Sequence, residues 1–148
     1  MTGPQRMSDK PIRPFLDSCV LIYALSQDDP RAAIAEELLA SGGVISVQVL
    51  NEFASVARRK LSMPWPEVRQ ALAAVRALCE PPVPVSLEMH ESAVEIAARY
   101  GYQIYDALIV AAALQADCYV LYSEDMQHGQ QIGSLTIHNP FQSRTAST

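Results

Sequence analysis

The stretch RPFLDSCVLIYAL, residues 13–25, sets a single carboxylate, Asp17, inside an apolar run. Phe15 and Leu16 lead into it, and Val20, Leu21 and Ile22 follow two residues after Ser18. Pro14 to Leu16 reads as a short first strand, and the chain turns helical around Val20 to Leu25. An ionised carboxylate loses several kcal/mol of hydration or more when buried alone. Asp17 therefore demands a partner, and the rest of the chain must supply it.

Outward from this stretch, short apolar runs alternate with longer helical ones, the pattern of an α/β domain with a mainly parallel sheet. Pro30 suits the opening of a helix over residues 31–40, and Gly42-Gly43 ends it. VISV, Val44 to Val47, reads as a second buried strand. Helices are predicted from Gln48 to Leu61 and from Pro66 to Cys79, the latter with an apolar stripe of Ala71, Leu72, Val75 and Leu78 read as core. EPPVPV stops that helix before a short strand, Val83 to Val85. Ser86 caps the next helix, and Gly101 closes it. YDALIVAAALQA is apolar nearly all round, hence a buried helix. CYVLYS reads as a buried strand and SLTIHN as a last, edge-like one.

At 148 residues this is one domain, placed over 13–140, with a flexible leader at 1–12 and a flexible tail at 141–148. No apolar run approaches the length of a membrane span, and the leader lacks the apolar core of a signal peptide, so a cytoplasmic protein is expected. Three widely spaced cysteines, with no CxxC pair, suit reduced thiols and argue against a zinc ribbon. The net charge of −5 counts against extended nucleic-acid binding, because phosphate affinity comes largely from Lys and Arg.

Four acids stand in unusual places. Asp17 falls at the carboxyl end of the first strand, the edge where open parallel sheets bind ligands. Asp125, in YSEDMQ, follows CYVLYS at the same edge, with Glu124 beside it as a possible fifth member. Glu52 lies on a helix with Val49 and Val56 as neighbours, on or beside its apolar stripe. Asp106 opens the buried helix and is expected to face the interior. Singly, each has an ordinary alternative: Asp17 and Asp106 as helix caps, Glu52 as a solvated side chain, Asp125 as a loop residue. Together, four carboxylates at close quarters would repel one another unless a cation neutralised them. Hard oxygen ligands without a His/Cys cluster select Mg²⁺ or Mn²⁺ over zinc. Metal-assisted phosphodiester hydrolysis is the chemistry such a site supports.

These acids and their settings resemble the PIN-domain ribonucleases, and in particular the small VapC-like toxins of bacterial toxin–antitoxin pairs. The matching stretches are FLDSCVLIYAL around Asp17, VISVQVLNEF around Glu52, YQIYDALIVAAAL around Asp106 and CYVLYSEDMQHG around Asp125. The resemblance implies a compact three-layer α/β/α domain and a Mg²⁺- or Mn²⁺-dependent endoribonuclease acting on RNA. It also implies a homodimer neutralised by a small antitoxin protein. Carried over, Asp17, Glu52, Asp106 and Asp125 form the acidic quartet, with Asp17 and Asp106 as direct metal ligands. Ser123 matches the small hydroxyl residue before the last acids. Cys19 stands where the family often has asparagine, which leaves the metal ligands intact but removes a polar contact. Arg58, Arg59 and Lys60, beyond Glu52, form a candidate RNA-guiding run; the alternative is a solvated helix end whose cations suit the helix dipole. One divalent ion would itself offset two of the net negative charges.

Two rival readings remain. A haloacid-dehalogenase-type phosphatase also places an aspartate after its first strand, but needs a second two residues on, where Cys19 stands, and a later lysine, of which none follows Lys60. A degenerate module that binds RNA or protein without cutting would have no reason to keep four mutually repelling acids. His90-Glu91 lacks the second histidine of a zincin motif. His128 is read as a surface residue near Asp125, and Trp65 as a packing residue.

Overall fold

A computed structural model describes residues 13–142 of the chain. The expected leader at 1–12 and most of the tail, 143–148, lie outside the described residues. The element order is β1 (Phe15–Leu16), α1 (Ser18–Ala24), α2 (Ala32–Ala40), α3 (Val47–Arg59), α4 (Trp65–Leu78), α5 (Leu87–Tyr100), α6 (Ile104–Gln115), β2 (Val120–Tyr122), β3 (Gln131–Ile132) and β4 (Leu135–His138). The sheet order is β1-β2-β4-β3; β1 and β4 run parallel to β2, and β3 pairs antiparallel with β4. Helices flank this mainly parallel sheet, the expected α/β/α arrangement.

Local sequence chemistry sets the helix ends. Ser46 and Ser86 cap α3 and α5, their hydroxyls accepting the N–H groups of Val49 (3.2 Å) and Met89 (3.1 Å). Gly101 ends α5 at φ 81°, a left-handed conformation that costs glycine little. In α6, every residue from Ala107 to Ala113 is buried, as its all-round apolar character requires. The core gathers Phe15, Leu16, Val20, Leu21, Val49, Phe53, Ile109, Leu121 and Ile137 between sheet and helices.

Several expectations need correction. SLTIHN is not an edge: β4 lies between β2 and β3, because the chain doubles back after Asp125 and lays the short β3 outside it. VISV and the segment after EPPVPV extend the sheet only by single bridges, Phe15 to Val44 and Ser46 to Val83. Val47 is already helical, since the Ser46 cap begins α3 one residue later. Gly43 fits this crowded crossing: a Cβ there would lie 3.0 Å from the Pro14 carbonyl oxygen and 3.2 Å from Leu16 Cγ. The α4 stripe is buried at Val68 and Val75, whereas Leu78, at its end, is 48% exposed. Trp65 is 56% exposed rather than packed, with the Arg58 guanidinium 5.0 Å over its ring. In CYVLYS only Cys118, Leu121 and Ser123 are buried.

Candidate active site

The carboxyl ends of β1 and β2 lie side by side, with Leu16 opposite Tyr122. Asp17 follows β1 and remains tied to the sheet, its N–H donating to the Tyr122 carbonyl (3.0 Å). Its extended backbone makes it the N-cap of α1, so its side chain serves cap and site at once. Asp17 is 3% exposed. Oδ1 accepts the N–H of Ser18 (2.6 Å) and Oδ2 accepts the hydroxyl of Ser123 (2.7 Å). Ser123, also buried, accepts the Asp125 N–H on the same oxygen (3.2 Å). One hydroxyl thus joins the first of the four acids to the backbone of the last.

Glu52 is half-buried on α3, beside the stripe of Val49, Phe53 and Ala57. The Ser18 hydroxyl donates to its Oε1 (3.1 Å) and the Gln48 amide to its Oε2 (3.2 Å). Asp106, in the first turn of α6, is half-buried rather than turned into the core, and Gln103 donates to its Oδ2 at 3.4 Å. Asp125 is exposed.

The electrostatics make one group of the four. Burial pushes Asp17 up to about 7, against the hydrogen bonds from Ser123 and Ser18, and the charges of Glu52 and Asp125 add to the rise. Loss of hydration raises Glu52, with Asp106 and Asp125 contributing. It raises Asp106 as well, again with Asp125. Asp125 is raised by partial desolvation and by Glu124, and lowered by Lys60. All four carboxyls are therefore held above their ordinary range, and the opposing charge of Lys60 acts on Asp125. Hydroxyl, amide and backbone donors orient the oxygens without neutralising them.

This donor set fits a hard divalent cation in charge and in ligand type. Its geometry is open: among the described residues no three His, Cys, Asp or Glu side chains converge closely enough to hold an ion. Mg²⁺ commonly uses one or two carboxylates and keeps several waters, so an open set remains compatible with it.

Glu124 behaves differently. Tyr23 donates its hydroxyl to Oε1, and Arg31 Nη1 donates to Oε2 at 3.0 Å. Arg31 also stacks 3.9 Å over the Tyr23 ring and grips Asp29 through Nε (2.9 Å) and Nη2 (2.8 Å). Both Glu124 oxygens are engaged, and its N–H donates to Cys19 Sγ (3.3 Å). Cys19 is buried, and burial pushes its thiol far up, so it acts as a small apolar residue with one weak acceptor.

The basic run divides. Arg58 donates to the Met63 carbonyl (3.0 Å) and covers Trp65, and Arg59 donates to Ser55 (3.2 Å). Lys60 is the member whose charge reaches Asp125. The sequence reading passed over Gln48, whose signal is its place as the helical i−4 neighbour of Glu52. The Tyr23–Arg31–Glu124 contacts carried no such signal, being 101 and 93 residues apart in sequence.

The family model for the PIN domain matches residues 15–130. The chain belongs to the PIN domain family. No curated protein matches it closely. Among solved structures, the PIN domain here is similar to a Klebsiella pneumoniae toxin–antitoxin complex at a TM-score of 0.66 and 19% identity, covering 86% of this chain and 98% of that one. It is similar to the Mycobacterium tuberculosis sarcin–ricin loop cleaving toxin VapC20 at 0.64 and 22%, covering 76% and 89%. A third, VapBC2 of Rickettsia felis bound to a promoter DNA fragment, gives 0.62 and 20%, covering 85% and 97%. At these identities the likeness establishes the fold, and function must come from this PIN domain's own residues.

Proposed function

We propose that this PIN domain is a divalent-metal-dependent endoribonuclease and the toxin of a toxin–antitoxin pair. The observation that carries the reading is the cluster of four carboxyls around buried Asp17, all raised, with Lys60 opposing the rise at Asp125. Asp17 and Asp106 are the proposed direct ligands of Mg²⁺ or Mn²⁺, with Glu52 and Asp125 completing the set directly or through water. A bound ion would polarise a phosphate oxygen and ease deprotonation of the attacking water. The chain's own residues prepare for this. Ser18 joins Asp17 to Glu52, its N–H on one carboxylate and its hydroxyl on the other. Ser123 fixes the Asp17 carboxylate and the start of the Asp125 loop with a single oxygen. Lys60, exposed beyond the end of α3, supplies positive charge along an approaching phosphate backbone.

Water is the proposed nucleophile, and in-line hydrolysis leaves a 5′-phosphate and a 3′-hydroxyl. Neutralisation by a small antitoxin protein belongs to the same proposal, supported by the fold's likeness to toxin–antitoxin complexes; assembly as a homodimer in the cytoplasm is proposed with it, on the family resemblance alone. Among the described residues no helix is long and apolar enough to cross a membrane.

The test is cleavage of total bacterial RNA, including intact ribosomes, by purified protein in Mn²⁺ or in EDTA, with Asp17→Asn prepared identically. Discrete cuts that need both metal and Asp17 are expected, with 5′-phosphate ends. Equal cutting by both proteins would mean contamination. No cutting by either, with no metal bound, would leave a binding module.

A further inference from the structure

Beside the acids, the same sheet edge carries a row of aromatic rings that the acid chemistry does not use. Tyr122 ends β2 and His138 ends β4, and the two are register partners. Their rings meet edge to face with centroids 5.5 Å apart. His128, three residues after Asp125, lies against His138 at 4.9 Å with a 57° tilt. Its Nδ1 accepts the Asn139 N–H (3.0 Å), which fixes the ring's orientation and leaves Nε2 as the protonated nitrogen of the neutral imidazole. Tyr122 is half-buried, whereas His128 and His138 are exposed.

The row and the acids are carried by the same neighbouring strand ends. Ser123 donates its N–H to the His138 carbonyl (3.1 Å) and its hydroxyl to Asp17 (2.7 Å). Consecutive residues at a strand end leave on opposite sides, so Ser123 turns to Asp17 while Tyr122 turns to His138. A single extended strand crossing this edge would meet carboxylates on one side of β2 and ring faces on the other. Unpaired bases splay onto aromatic side chains in just this way, and stacking tolerates any base because each has a π-face. A chain with a net charge of −5 gains from a contact that does not depend on phosphate.

Resting on the ribonuclease reading, we propose that His138, His128 and Tyr122 form a stacking subsite for an unpaired nucleobase flanking the scissile phosphate.

The test uses Asp17→Asn as a non-cleaving background and short mixed-sequence oligoribonucleotides carrying 2-aminopurine, whose fluorescence is quenched by stacking. Binding with quenching is expected. His138→Ala should weaken binding about tenfold and remove the quenching, as loss of one stacked base predicts. His138→Phe, which keeps a ring face, should restore both, and neither change should alter the thermal midpoint. RNA bound equally well and quenched equally by the alanine variant would overturn the subsite while leaving the nuclease reading intact. Failure of the parent to bind RNA, together with no cleavage by wild type, would sink that reading and the subsite with it. Equal binding and equal quenching by the Asp17→Asn parent with a fully paired duplex would overturn the stacking of an unpaired base.

Discussion

Glu124 and Asp125 are consecutive, yet they belong to opposite kinds of site. Glu124 has a guanidinium on one oxygen and a phenol on the other, and Arg31 is itself braced by Asp29 and the Tyr23 ring. Its charge is answered within the chain. Asp125 shares its surroundings with three other raised carboxyls and one exposed lysine. The lesson lies in the type of partner rather than the number. Asp17 has both oxygens hydrogen-bonded and is still driven to about 7, because neutral donors orient a carboxylate without cancelling its burial. A network closed by its own cation is a brace; one closed only by hydroxyls and amides is open to a cation from outside.

The largest effect that would sharpen this contrast is expected from Asp17→Asn. Cleavage should fall by at least about a hundredfold, the scale for loss of a principal electrostatic contact. Thermal stability in EDTA at pH 8 should rise, since a buried charge is removed; a variant that lost both would make Asp17 a structural cap instead. Next comes pH. Asp17 in the folded chain titrates near 7 against 3.8 for the ordinary group, so between those values the folded state binds the extra proton. Metal-free stability should therefore increase as pH falls from 8 towards 4, with Glu52, Asp106 and Asp125 acting in the same direction. Saturating Mn²⁺ should flatten that slope. Calorimetry across this range with and without metal measures it, and a slope of opposite sign would break the assignment.

On the braced side, Tyr23→Phe removes the hydroxyl donated to Glu124 but keeps the ring under Arg31 and against Phe141. A loss of about 1–2 kcal/mol in denaturant unfolding is expected, with little change in metal affinity. A loss of metal binding without a loss of stability would move Glu124 into the acid site. The smallest effect should come from Lys60→Ala, less than about fivefold on RNA affinity and fading with salt, as for an exposed charge.

Much of this was legible in the sequence because it is local. Cap residues marked Ser86 and Gly101 as helix ends where they fall, and the hydrophobic run placed the start of α3 at Gln48, one residue after Val47. Asp17, Glu52, Asp106 and Asp125 stood out because each is an acid at the end of, or beside, an apolar element. Their mutual coupling through Ser18 and Ser123 is a proximity no local window contains. The misread strands show the same limit. SLTIHN carries the signal of a strand but not of its neighbours, and only the return of the chain through β3 made it internal. VISV is apolar enough for a strand, yet the cap at Ser46 claims its last residue for a helix.

By itself, then, the sequence determined the helices, the strands β1, β2 and β4, their order and the acids at their ends, because helix and strand periodicity and capping act over a few residues. Tertiary structure alone decided which acid is compensated, which cation reaches the site and which rings share its edge. Those depend on contacts between residues such as Tyr23 and Glu124 or Asp17 and Ser123, 101 and 106 positions apart, which exist only once the sheet has brought its carboxyl ends together.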